Sequence, residues 1–186
     1  SDYRQAQRTE LQQIVDQGKQ AIAAATTEQE VATALSAAKA NADKVKTNAQ
    51  LNAEEAQAVI DVISEIGNVT VNSGSAIQAA RQAYDALSDE AKLLVENYSA
   101  LVAAESGYQA ALLAQAKTNA TAELENYKVA SDYRQAQRTE LQQIVDQGKQ
   151  AIAAAITEQE IATALSAAKA NADKVKTNAQ LNAEEA

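Results

Sequence analysis

Residues 1–56 recur as residues 131–186 with two differences, Thr26 against Ile156 and Val31 against Ile161. This near-identity at an offset of 130 residues constrains the fold more than any other feature, because a sequence that repeats must build a structure that can repeat. Self-similarity on this scale marks modular, quasi-linear architectures in which each unit packs only on its neighbours. Both differences are reachable by single nucleotide changes, which points to a natural duplication in a longer array rather than to an engineered fusion.

Composition makes the unit helical. Roughly a quarter of the residues are Ala, while Gln, Glu, Lys and Leu are plentiful and Pro, Phe, Trp, Met, Cys and His are absent. The abundant types lose little side-chain freedom in a helix, and no proline interrupts one. The same composition narrows function. Sixteen basic against twenty-five acidic residues leave a net charge of −9, so nucleic acid is repelled rather than gathered in. Apolar runs such as Ala110 to Ala114 are far too short to cross a bilayer, and no membrane insertion is expected of these residues. Without Cys there are neither disulfides nor thiolate metal sites, which leaves the compartment open. Neither a signal peptide nor an anchoring segment is recognisable, and because the chain starts and stops inside a repeat this carries no information.

Caps place the helix starts. Thr27 with Glu30, repeated as Thr157 with Glu160, forms a Thr-x-x-Glu capping box. With Thr157 as N-cap, Ile156 and Ile161 occupy the two positions of a hydrophobic staple, so the second copy is expected to hold this turn more firmly than the first. Similar patterns predict starts at Asp132 with Gln135, at Ser75 with Gln78, and at Ser88, where Asp89 and Glu90 suit the positive end of the helix dipole.

Apolar spacing traces the faces. Leu141, Ile144, Val145, Gly148, Ile152 and Ala155 form one helical stripe, and Ile161, Leu165, Ala168, Ala172 and Val175 a second. Ile77, Ala80, Tyr84 and Leu87 mark a shorter helix, and Leu94, Tyr98, Leu101, Tyr108 and Leu112 a longer one. Gly18 and Gly148 lie on a stripe despite costing about 1 kcal/mol against Ala, which implies close approach of a neighbouring helix. No Gly, Pro or turn cluster lies between Thr27 and Ile66, which predicts one helix of about forty residues, roughly 60 Å long. Ser88 to Lys128, with only Gly107 inside, also reads through, and the loop is Gly67 to Gly74.

These pieces predict an all-α fold: elongated tandem three-helix bundles joined end to end by shared long helices, in the manner of a spectrin-like rod. Residues 1–52 form an incomplete bundle, a two-helix hairpin that holds the last two helices of a truncated repeat. Residues 53–115 form one three-helix bundle. Residues 116–186 form the next, which repeats 1–56 at 131–186 and ends with the start of a further linker helix. Three helices abreast advance such a rod by about 65 Å per repeat. Residues 1–50 lack a covering helix, so the hairpin is expected either to fray or to borrow a helix from a second molecule. A monomer is the expected state, and a dimer through that surface would be a consequence of the cut.

The run Thr27, Glu28, Glu30, Val31, Ala32, Ala34 and Leu35, preceded by a helix ending at Ile22 to Ala25, resembles the last helical turn of albumin-binding and related three-helix modules of Gram-positive surface proteins. The stretch from Ala79 through Arg81, Tyr84 and Lys92, continuing past Val95 and Tyr98 to Ala104 and Tyr108, is similar to another helical module of repetitive Firmicute surface proteins. The resemblance implies an extracellular, cell-wall-associated stalk or adhesin. Albumin binding itself is not carried over, because the middle helix is longer here and the contact residues of that module have no match.

Without His or Cys, catalysis would rest on carboxylates, Lys or Tyr. Glu54 with Glu55, and Asp89 with Glu90, are the candidates for paired acids or calcium ligands, but a solvated face and a dipole-matched first turn account for them more simply. No calcium-loop motif is present. Tyr84, Tyr98, Tyr108 and Tyr127 could stack on sugars, although core packing with the hydroxyl at the surface is the plainer reading. Val69 and Val71 read as an exposed tip or as a lid over a helix end. Asn68, Asn97 and Asn119 match the glycosylation pattern, two of them inside predicted helices. The expectation is a non-catalytic spacer or stalk with no cofactor and no catalytic, cofactor-binding or metal site, which projects another domain from the cell wall. Its partners are the neighbouring repeats of the same chain. The alternative is a helical binding module, an adhesin whose helix face captures a host protein or a cell-wall polysaccharide.

Overall fold

The computed structural model describes residues 2–185 and is all-helical: among them are nine α-helices and no strand. In chain order these are α1 (Gln5–Ala24), α2 (Glu28–Ala42), α3 (Asn48–Ser64), α4 (Gly74–Asp85), α5 (Asp89–Lys92), α6 (Tyr98–Glu125), α7 (Gln135–Ala154), α8 (Glu158–Ala172) and α9 (Asn178–Glu185). No described helix is long and apolar enough to cross a membrane. The chain divides into two compact units. One holds the described residues up to Gly67 together with Ser75–Val102, and the other holds Asn68–Gly74 together with the described residues from Ala103 onward.

In the first unit α1 and α2 form an antiparallel hairpin. Thr27 caps α2 through a complete capping box: its hydroxyl accepts from the Glu30 N–H and the Glu30 carboxylate accepts from the Thr27 N–H. The buried apolar residues of this unit sit beyond the hairpin, at Val45, at Ala56, Val59 and Ile63 on α3, Ile77 and Ala80 on α4, Ala91 on α5, and Val95 and Leu101. The α1–α2 hairpin itself buries only Gln7 and Gly18.

The second unit contains the second hairpin, α7 with α8, and adds the later part of α6 against it. Leu113, Ala116, Ala120 and Leu124 of α6 share one core with Val145, Ile152, Ala155, Ile161, Ala164, Leu165 and Ala168. A smaller cluster of Tyr133, Leu141, Ala172 and Val175 is joined by Tyr127 and Ile144. Close approach explains the glycine on the stripe. A Cβ at Gly148 would lie 2.5 Å from Leu124 Cδ2 and 2.7 Å from Ala168 Cβ, so only a hydrogen there lets the three helices close. At Gly18 the same atom would meet Ala38 Cβ at 2.8 Å.

Four expectations need correction. The forty-residue helix from Thr27 to Ile66 is two helices, α2 and α3, separated by residues 43–47. The signal for the break is in the sequence: Thr47 with Gln50 forms a second capping box, which satisfies two amide donors at a new helix start. Residues 88–128 likewise divide, into the one-turn α5 and α6, with 93–97 between them. That turn buries Val95 and lets the Asn97 carboxamide donate to the Ile60 carbonyl at 2.9 Å. Third, α7 begins at Gln135 with Arg134 as an N-cap that makes no side-chain cap, Asp132 lies in a short 3-10 turn, and α4 begins at Gly74 rather than Ser75. Ser88 caps α5 as expected. Fourth, the hydrophobic staple is absent: Ile156 is 75% exposed while Ile161 is 5% exposed, because Ile161 turns into the core shared with α6 instead of onto Ile156. The first hairpin is helical along its length rather than frayed, and α6 runs unbroken from Tyr98 to Glu125.

Candidate functional site

The most organised polar cluster lies where a hairpin meets the helix that follows it. Arg4 stands at the N-cap of α1 in extended conformation. Its guanidinium donates to both carboxylate oxygens of Glu55, at 2.6 and 2.9 Å, and to Asn52 Oδ1 at 2.6 Å. Asn52 and Glu55 are three residues apart on α3 and so share one face, which the planar guanidinium fork fits. The Asn48 N–H donates to the Asp2 carbonyl at 2.8 Å, and Lys46 pairs with Glu54 at 2.6 Å. Buried Val45 closes the turn. The start of α1 and the start of α3 are thus tied by one bidentate ion pair and one backbone hydrogen bond.

The cluster recurs one repeat later. Arg134 donates to Glu185 at 2.6 and 2.9 Å and to Asn182 at 2.7 Å, and Lys176 pairs with Glu184 at 2.5 Å. The Thr177 hydroxyl accepts from the Gln180 N–H as Thr47 does from Gln50. In both copies the hydrogen bond from the arginine, followed by its positive charge, holds the glutamate below the usual carboxylate range, and the glutamates raise Arg4 and Arg134 in turn.

Glu54 and Glu55 are therefore adjacent in sequence but held by different cations, Lys46 and Arg4, and do not form a pair of acids. Asp89 and Glu90 occupy the first turn of α5 behind Ser88, and the charge of Glu90 reaches Arg4. Among the described residues no group of three acidic, histidine or cysteine side chains is placed to hold a metal ion.

The tyrosines separate into three settings. Tyr84 and Tyr98 stack with ring centroids 4.3 Å apart, and the Arg81 guanidinium lies 5.6 and 5.3 Å from the two centroids. Leu94 and Val102, four residues to either side of Tyr98, are exposed with it. Tyr108 lies over Gly74, where a Cβ would fall 2.5 Å from its hydroxyl oxygen. Tyr127 donates to Asp173 at 3.0 Å beneath the ammonium groups of Lys128 and Lys169. Hydrogen bonds from Lys128 and Tyr127 hold the Asp173 carboxyl below its ordinary range.

Val69 and Val71 are half-buried, and Val69 Cγ1 is 3.7 Å from where a Gly107 Cβ would stand, so this loop lies against α6 as a lid. Asn97 spends its amide nitrogen on Ile60 and Ser64, Asn119 accepts from Gln115, and Asn68 is exposed in the loop. A cleft between the end of α6 and α7 is floored by Leu124, Leu141 and Val145 and rimmed by Glu125, Lys128 and Arg138. Lys149 holds Glu125 and Asp173 holds Lys128, so two of its three charged groups already serve the fold.

Sequence reading missed the arginine clamp. Arg4, Asn52 and Glu55 recur as Arg134, Asn182 and Glu185, but every neighbour recurs with them, and repetition alone does not single them out. The chain matches no protein-family model, no curated protein and no solved structure.

Proposed function

We propose that the chain is a non-catalytic structural spacer, built from tandem three-helix bundles in a repetitive bacterial surface protein that projects another domain from the cell wall. The observation that carries the reading is the arginine clamp, reproduced at the same three distances to within 0.1 Å at the start of each hairpin. A unit that fixes its next helix in the same way at every recurrence propagates a direction, which is what a stalk requires. The extracellular, wall-associated setting rests on the resemblance to Firmicute surface modules.

Small-angle scattering on chains of one, two and three repeats tests it. A constant increase in maximum dimension per added 130-residue unit is the expected result. A radius that follows the scaling of one compact globule sinks the proposal.

The exposed side chains of Leu94, in the turn before α6, and of Tyr98 and Val102 on the first turns of α6 favour a second reading, a helical surface that captures a host protein or a wall polymer. Titration of the chain with purified wall polysaccharide and serum proteins, beside a Leu94→Asp variant, separates the two. Saturable binding lost in the variant supports capture, and its absence with every ligand leaves the spacer alone.

A further inference from the structure

We propose that the cleft between the end of α6 and α7 binds a small amphiphilic monocarboxylate, with the carboxylate on the Arg138 guanidinium and the apolar body on Leu124, Leu141 and Val145. The cleft has a volume of about 280 Å³, near the lower end of small-molecule sites. All its lining residues fall between 124 and 172, within one compact unit. The charges of that unit single out Arg138. Among the described residues from 103 to 185, every other lysine and arginine side chain meets a carboxylate, carboxamide or carbonyl oxygen. The Arg138 guanidinium meets none, and only the backbone N–H of that residue donates, to the Arg134 carbonyl. The helices that follow a hairpin do not close this side. In the first copy, where α3, α4 and α5 follow, the matching Arg8 and Gln12 are exposed, and Arg8 donates only to Gln5 Oε1 and the Tyr3 carbonyl of its own segment.

The rim selects the head group. Lys149 offsets Glu125 and Asp173 offsets Lys128, so Arg138 leaves one uncompensated positive charge beside the apolar floor. A planar carboxylate meets the guanidinium fork in two parallel hydrogen bonds. A phosphate dianion is opposed by Glu125 at the rim and by the net charge of −9. The floor selects the body. A carboxylate without an apolar part gains little from an exposed ion pair alone, whereas an alkyl chain that covers Leu141 and Val145 removes apolar surface from water. The assignment stands whether the array serves as a spacer or as a capturing surface.

Titration of the full chain with octanoate, followed by nitrogen–proton correlation spectra, tests it. Saturable shifts are expected at the amides of 138–145 and of 124–130, the latter a stretch with no second copy in the chain. Octan-1-ol, which has the same body and no charge, should bind about tenfold more weakly, and acetate, which has the charge and no body, should not saturate. Arg138→Gln should weaken octanoate by about tenfold and leave octanol unchanged, a pattern that a folding defect would not give. The proposal is overturned if no octanoate shift saturates, if octanol or acetate matches octanoate, or if Arg138→Gln leaves octanoate binding unchanged. Saturating shifts that fall outside the cleft overturn it equally.

Discussion

The two hairpins are almost the same molecule in two surroundings. Helix bounds agree at the 130-residue offset, 5–24 with 135–154 and 28–42 with 158–172, and so does the conformation of the N-caps at Thr27 and Thr157. Burial does not agree. Ile152 is fully buried where Ile22 is half-buried, and Leu141, Ala155 and Ala168 are buried where Leu11, Ala25 and Ala38 are not. Helix formation and hairpin geometry are therefore local properties of these forty residues, carried by caps, by alanine and by the glycine contact. The core belongs to the pair of hairpin and covering helix, and only the second copy has that helix in place.

The largest break in this equivalence should come from Ile152→Ala. It removes a fully buried side chain from the core shared with α6, and about 3 kcal/mol of stability should be lost. Ile22→Ala, the same change in the open copy, should cost about 1 kcal/mol, because less apolar area leaves water there. Urea unfolding of the two variants measures the difference, and equal losses would show that the first hairpin is covered in solution.

Gly148→Ala is the next largest. The added methyl collides with Leu124 and Ala168, and about 2 kcal/mol should be lost, since both neighbours are held in a packed core. At Gly18 the contact is with Ala38 alone, and the open side lets the helices separate slightly. The gain in helix propensity, about 1 kcal/mol, offsets most of that strain, so Gly18→Ala should be close to neutral. Thermal melts of the two variants are the check.

Ile161→Val and Val31→Ile probe the natural difference between the copies. The first deletes a methylene from the core and should cost about 1 kcal/mol, whereas the second adds one to an exposed face and should change stability by less than about 0.5 kcal/mol.

How far the sequence revealed this depends on the kind of signal. Helical content, both hairpins, the loop at Gly67 to Gly74 and the close approach at Gly18 and Gly148 were legible because alanine, capping boxes and misplaced glycines each carry a local cause. The breaks at 43–47 and 93–97 contain no Gly or Pro, so the sequence pattern predicts helix through both. The first was marked by Thr47 and Gln50, a polar cap that outweighs an uninterrupted stripe. The second has no comparable signature; it forms because Val95 finds burial and Asn97 finds the Ile60 carbonyl, both contacts distant in sequence. The arginine clamp was hidden for the same reason, since Arg4 and Glu55 are 51 residues apart. The staple at Ile156 and Ile161 failed because tertiary burial of Ile161 against α6 outcompetes a local contact.

The smallest expected effect concerns a contact that only the second hairpin has. Asp173, at the end of α8, accepts from Tyr127 and Lys128, which lie just past α6. Those hydrogen bonds lower the folded-state pKa of Asp173, so the folded chain binds that proton less readily than the unfolded chain does. The contribution is present above the ordinary carboxylate range and is lost as the pH falls through the lowered value. Lys128 is raised chiefly by the hydrogen bond to Asp173, so its share is present below the ordinary lysine range and disappears as the pH rises through the raised value. Asp173→Asn removes both limbs. The variant should show a flatter dependence of stability on pH at acid and alkaline extremes, with little change near neutrality, where solvent screens this partly exposed pair. An unchanged acid limb in urea titrations from pH 2 to pH 5 would show that the end of α8 is not held by residues 127 and 128.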